Sequence, residues 1–191
     1  LNVEGGLNYI GQQHILGPAT FKDLYMNGPM SYAMGQLQSG WGGLRVFWNR
    51  LNATADNIAP NPAPNDILWN TIDAEGNFAR SFDTGPLNHN LVLGASYRRK
   101  TIDWNFIDQR REENHYAVFF QDAIRFSELV RGVFGFRMDR HPLLQKPVWS
   151  PRAAIVIRPT DGQAIRFQGS TAFRTQTFLE SYIQNNIATP V

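Results

Sequence analysis

"GVFGFRMDRHPLLQKPVWSPRAAIVIRPTDGQAIRFQGSTAFR", residues 132–174, alternates apolar and polar positions almost without pause. Successive side chains of a strand point to opposite faces, so this period of two separates the residues into two sets. In 150–159, Ala153, Ile155 and Ile157 share one face, and Arg152, Ala154, Val156 and Arg158 the other. In 164–174, Ile165, Phe167, Thr171 and Phe173 oppose Arg166, Gln168, Ser170 and Arg174. In 130–140, Phe134, Phe136 and Met138 oppose Gly135, Arg137 and Asp139. The apolar face must rest either on a protein core or on lipid, and the two answers imply different proteins.

The same pattern extends outward to nine segments, roughly 1–10, 29–40, 43–52, 67–81, 88–102, 114–126, 130–140, 150–159 and 164–174. Leu91, Leu93, Ala95 and Tyr97 oppose Gly94, Ser96 and Arg98 in the fifth. "TFLESYIQ" has a weak helical period, and "SELVRGV" reads as a turn entering a strand; no long helix is expected. The connections alternate in length. "WGG", "DTGPLN", "SEL" and "PTDGQ" are short and carry the Gly, Asp and Pro of tight hairpins, whereas 11–28, 53–66, 103–113 and 141–149 are long. An up-and-down meander with all long loops on one rim produces this alternation, as outer-membrane barrels do. A soluble sandwich has no reason to sort loops by rim. Strands of ten residues or more are long enough to cross a tilted hydrocarbon path.

Composition agrees. There are thirteen Phe, five Trp and six Tyr, and Trp41, Trp48, Trp69, Trp104 and Trp149 fall near expected strand ends, where interfacial girdles place the ring. No apolar run is long enough for a transmembrane helix, and the absence of cysteine removes disulfides and thiolate zinc sites. A net charge of +2 without a lysine-rich stripe gives no basis for nucleic-acid binding. The sequence opens on Leu1 with no signal peptide, the expectation for a processed or excised piece.

Four ordered pieces carry a family resemblance: "YAVFFQDAIRF" (116–126), "GVFGFRMDRHP" (132–142), "SPRAAIVIRP" (150–159) and "GQAIRFQGSTAFRTQTFLESY" (162–182). The order of Phe119 to Asp122, Gly135-x-Arg137-x-Asp139, Ser150-Pro151-Arg152, Phe173-Arg174 and Glu180 resembles the barrel of TonB-dependent outer-membrane receptors. "TQ" after Arg174 departs from the family's small residue and proline. The resemblance implies an all-β, antiparallel up-and-down transmembrane β-barrel fragment, about nine strands of a larger barrel and an open sheet when isolated. Across 1–191 it finds neither the family's plug domain nor its coupling box and closing strand. The implied function is energy-coupled uptake of a scarce ligand such as an iron–siderophore, cobalamin or an oligosaccharide. The implied partners are outer-membrane lipid, lipopolysaccharide, the receptor's own plug domain and the TonB energy-coupling complex.

No catalytic set, cofactor motif or metal spacing emerges, and His14, His89, His115 and His141 read as solvated loop or strand-end histidines. Candidate ligand contacts lie in the long loops and at the rim: Phe21, Tyr25, Trp104 and Phe106, and the basic Arg98, Arg99, Arg110 and Arg111. Arg137, Asp139, Arg152, Arg158 and Arg166, with Asp122, are expected to face the lumen, while Phe134, Phe136, Ile155, Ile157, Ile165 and Phe167 face lipid. Three alternatives remain at this level. One is a self-contained small porin or structural barrel, another a soluble β-sandwich binding carbohydrate, and an enzyme comes last.

Overall fold

The computed structural model describes residues 1–15, 24–57, 66–104, 107, 109–160 and 162–182. Nine strands pair in chain order as one antiparallel sheet: β1 (Asn2–Ile15), β2 (Leu24–Ser39), β3 (Gly42–Asn57), β4 (Asp66–Thr84), β5 (Leu87–Trp104), β6 (Arg111–Arg125), β7 (Val130–Arg140), β8 (Val148–Ile157) and β9 (Ile165–Ser170). The sheet is open, because β1 and β9 do not pair with one another among the described residues. This is the barrel-fragment architecture, not a self-closing small barrel.

The strands run longer than their hydrophobic cores suggest. β2, β3, β5 and β6 extend into the expected long loops and absorb Trp104 and Arg111 into the ladder. Backbone pairing continues as long as two antiparallel neighbours remain in register, whatever their side chains are. Short and long connections still alternate up to β7: 40–41, 85–86 and 126–129 are short, and 16–23, 58–65 and 105–110 longer. The alternation ends at 141–147 and 158–164, which are equal in length. Gly85 explains one tight turn. Its φ of 60° suits the first central position of a II′ hairpin, and Pro86 then fixes a negative φ.

Register assigns each residue to a face, since directly paired residues share one. Leu44, Val46, Ala74, Phe78, Leu93, Ala95, Val118, Phe120, Phe134, Phe136, Ile155 and Phe167 lie on one side. No second layer covers them among the described residues: Phe167 is 64% and Leu7 76% exposed. The sandwich alternative requires a facing sheet, and there is none there among the described residues. An uncovered apolar face spanning nine strands far exceeds what a soluble monomer exposes.

Depth is marked on this outer face. Trp48, Tyr97, Tyr116 and Trp149 form an aromatic level toward the longer loops, bordered by Arg50, Asn70, Arg99, Asn114 and Arg140. Trp48 Nε1 donates to Asn70 Oδ1 at 2.6 Å, and the Tyr97 hydroxyl to Asn114 Oδ1 at 2.7 Å. Each ring thus lies in the apolar band while its polar tip bonds toward the rim, the arrangement of a membrane-interface girdle. Below it, His89–Tyr97, Tyr116–Ile124, Val130–Met138 and Trp149–Ile157 each span nine residues, enough for a tilted strand to cross the hydrocarbon core.

Three sequence expectations need correction. Trp69 and Trp104 are not girdle residues, because their register turns them to the opposite, polar face. Asp122 pairs with Leu91 and Phe134 and so lies on the outer face, not in the lumen. There His89 Nδ1 donates to it at 2.7 Å, beneath the stacked Phe82 ring near the short turns, where a partnered carboxylate costs least. Third, His141 is 4% exposed and so is not a solvated loop histidine. Phe178–Tyr182, within the stretch of weak helical period, forms a five-residue helix, α1.

Mid-band rows through Leu93, Phe120 and Phe136 should be the least tolerant of charge. Leu93→Arg is expected to cost about 2–4 kcal/mol and to abolish heat-modifiable mobility in the outer-membrane fraction. Val92→Arg, one residue away on the polar face, should assemble normally, and Ile155→Arg, nearer the short-turn rim, should be less harmful than Leu93→Arg.

Candidate functional site

The polar face carries the chemistry. Arg98 Nε donates to the buried Asp73 at 2.6 Å, and Arg45 lies 3.9 Å from the same carboxylate. Arg137 Nε bonds both oxygens of Asp139 at 3.0 Å, and its Nη2 reaches Ser96. Arg152 hydrogen-bonds Gln121. The Phe119 ring lies over Gly94 on this same face, where any Cβ would collide with it, and Arg137 sits 6.0 Å from the ring centre. A recess of about 420 Å³ opens beside Glu75, Phe119, Arg137, Arg152 and Ser170.

Toward the longer loops the polar face holds an apolar floor: Met26, Leu51, Ala53, Ile67, Trp69, Ile102 and Trp104. After β9 the chain crosses back over this floor, and α1 lands on it. Phe178 is 2% exposed and meets Trp69 edge-on at 6.2 Å. The helix starts where it does because Thr177-x-x-Glu180 is a capping box. Thr177 Oγ1 accepts from the Glu180 amide at 3.3 Å, and Glu180 Oε2 from the Thr177 amide at 2.8 Å. Arg174 Nη2 adds a charged bond to Glu180 at 2.7 Å. That guanidinium first, then the Thr177 amide, holds the Glu180 carboxyl down to about 2.

Beside α1, Glu113, His115 and His141 converge. Glu113 and His115 stand two apart on β6 and face the same way. His141 continues the β6–β7 register, in which Arg140 pairs with Tyr116, and so arrives opposite His115. The two imidazole rings meet at 4.6 Å. His115 Nε2 lies 2.9 Å from Glu113 Oε2, and the Tyr182 hydroxyl also bonds that carboxylate. Burial first, and His115 second, push His141 below its ordinary value. Spacing along the chain could not reveal this cluster, because only strand pairing brings position 141 to position 115.

The expected ligand contacts divide. Arg98, Trp104 and Arg111 do face the polar side. Trp104 is buried in the apolar floor, and the Arg111 guanidinium lies 4.8 Å over the Tyr182 ring. Arg99 is the exception within its basic run: it points outward and forms a two-pronged bond to Glu112 at 3.0 and 2.7 Å. A run of neighbours on one strand cannot make one patch, since odd and even positions diverge. Arg110 is exposed in the β5–β6 connection. Phe21 and Phe106 lie outside the described residues, and only the backbone of Tyr25 is described, within β2. Arg137, Asp139, Arg152 and Arg166 share the polar face, and Arg158 sits one residue past β8, its amide bonded to Leu129 O.

A girdled, lipid-type outer face, a charged inner face and a returning inner segment together describe a receptor barrel wall. The TonB dependent receptor-like, beta-barrel family matches residues 13–190. The chain belongs to this family. No curated protein matches it. As a TonB-dependent receptor barrel it is an outer-membrane receptor and transporter component.

The capping box should titrate with Glu180. Its carboxyl is depressed in the folded state from an ordinary 4.5, so the cap contributes fully above about 4.5 and is lost as pH falls toward about 2. Hydrogen exchange at the Ser181 amide, which bonds Thr177 O, should speed up beyond its intrinsic pH dependence within that window. Glu180→Gln should flatten this dependence, and Thr177→Ala should weaken the cap by about 1 kcal/mol at neutral pH.

Proposed function

We propose that this barrel wall belongs to a receptor for energy-coupled uptake of an anionic ligand, with an iron–siderophore the class it fits best. The carrying observation is the sign of the lumenal wall on β7 to β9. Arg131, Arg137, Arg152 and Arg166 face the lumen there against Asp139 as the one acidic partner. Clustered guanidiniums in a channel attract anions and bind carboxylate or catecholate oxygens through paired N–H groups. Phe119 beside Arg137 adds a flat surface for an aromatic or planar ligand. Cobalamin and oligosaccharides lack the negative charge that would use four arginines, which ranks them second.

In this reading the wall is passive, without covalent chemistry. The receptor's plug domain and the TonB complex supply opening and energy, and the rim and loops, Arg98 and Arg110 among them, capture the ligand. Outside, Arg50, Arg99 and Arg140 above the aromatic level are positioned to meet lipopolysaccharide phosphates.

Cells carrying the intact receptor would be offered radioiron on anionic siderophores, labelled cobalamin and labelled oligosaccharides. Ferric-siderophore uptake should be uncoupler-sensitive and should fall about tenfold in Arg137→Ala/Arg166→Ala, equivalent to about 1.4 kcal/mol of lost binding. Uptake of a neutral ligand alone, indifferent to both arginines, would rule out the charge argument.

A further inference from the structure

The Glu113–His115–His141 cluster has no assigned role in ligand passage, and its chemistry points elsewhere. One donor atom from each residue lies within 4.8 Å of the other two. Glu113 is 1% and His141 4% exposed. Glu113 Oε1 and His141 Nε2 are both buried without a hydrogen-bond partner. A buried acceptor and a buried ring nitrogen left open within one cluster are costly, unless a further group satisfies them.

We propose that Glu113, His115 and His141 form a resident binding site for a divalent transition-metal ion of the zinc class. Two imidazoles and one carboxylate, with no thiolate, select a borderline ion such as Zn²⁺ over Mg²⁺ or Ca²⁺, which prefer oxygen alone. Metal–ligand bonds of about 2.0–2.1 Å require donor separations of roughly 3.3 Å, so the present spread closes by side-chain rotation. Tyr182 of α1 bonds the Glu113 carboxylate and is its outer partner. An ion here ties β6 to the segment after β7 and braces the carboxylate against α1. Lys100, opposite Glu113 in the β5–β6 ladder, is the competing cation.

Occupancy has a structural consequence. His141 Nδ1 accepts the Leu143 amide at 3.1 Å, which keeps the neutral ring's proton on Nε2. Metal ligation at Nε2 moves that proton to Nδ1 with none released from this ring, and the Leu143 bond is given up. The ion thereby couples to the 141–147 connection.

The test uses the intact receptor in detergent, stripped of metal with chelator. Titration with Co²⁺ alone should produce the visible absorption of a low-symmetry four- or five-coordinate site, and Zn²⁺ alone should bind at one ion per chain by calorimetry and displace it. Glu113→Gln and His141→Ala should each weaken Zn²⁺ by more than the about 10- to 100-fold typical of losing an outer partner, and Tyr182→Phe should fall within that range. His89→Ala should bind as the unmodified receptor does. On binding, the Leu143 amide should lose exchange protection. A Co²⁺ spectrum in the unmodified receptor that stays that of the aqueous ion overturns the proposal whatever the variants do, as does equal Zn²⁺ affinity in a correctly folded His141→Ala.

Discussion

Every feature of this chain depends on one constraint: a backbone in hydrocarbon must bond to itself. Without water, each N–H and C=O of a spanning strand needs a neighbouring strand, and pairing in chain order meets that need continuously from β1 to β9. Among the described residues the outer edges of β1 and β9 are unpaired, a state that a bilayer does not tolerate. Once pairing is fixed, the period of two leaves no freedom. Leu93 must share a face with Phe120, and Arg98 with Asp73. Lipid contact and lumenal charge follow from one register.

The lumen then acquires an asymmetry that pairing alone does not supply. Its wall along β7 to β9 is basic, while its mouth over β2 to β5 has an apolar floor. Water would face that floor if α1 did not return to cover it. Phe178 supplies the apolar contact, the Thr177–Glu180 box the start of the helix, and Arg174 the charge that fastens it. The Arg174 and Glu180 of the family pattern thus have a physical role here, as the fastening of an inward-turning segment.

Much of this was legible from residue order. The alternation at 150–159 and 164–174 identifies strands, and Gly85-Pro86 marks a turn whose geometry few other pairs allow. What stayed hidden is what strand pairing alone determines. Arg98 and Arg99 look like one patch until parity sends them to opposite sides of the wall. Trp69 and Trp104 resemble girdle residues because they lie near strand ends, yet a one-residue difference in phase turns them inward. Asp122 reads as lumenal by its strand placement, and its place outside is intelligible only beside His89, thirty-three positions away. The α1 helix is short enough that "TFLESYIQ" shows only a weak helical period, and what fixes its start is the capping box of Thr177 and Glu180. His141 and His115 meet only because β6 and β7 pair.

The most direct measurement exploits the lack of cysteine. Single cysteines placed at each position from 91 to 97 would carry nitroxide labels in the membrane-reconstituted receptor, with collision rates read for oxygen and for a water-soluble nickel chelate. Strict alternation is expected: oxygen dominates at 91, 93, 95 and 97, the nickel complex at 92, 94 and 96. The opposite phase, or a common response at odd and even positions, would contradict it.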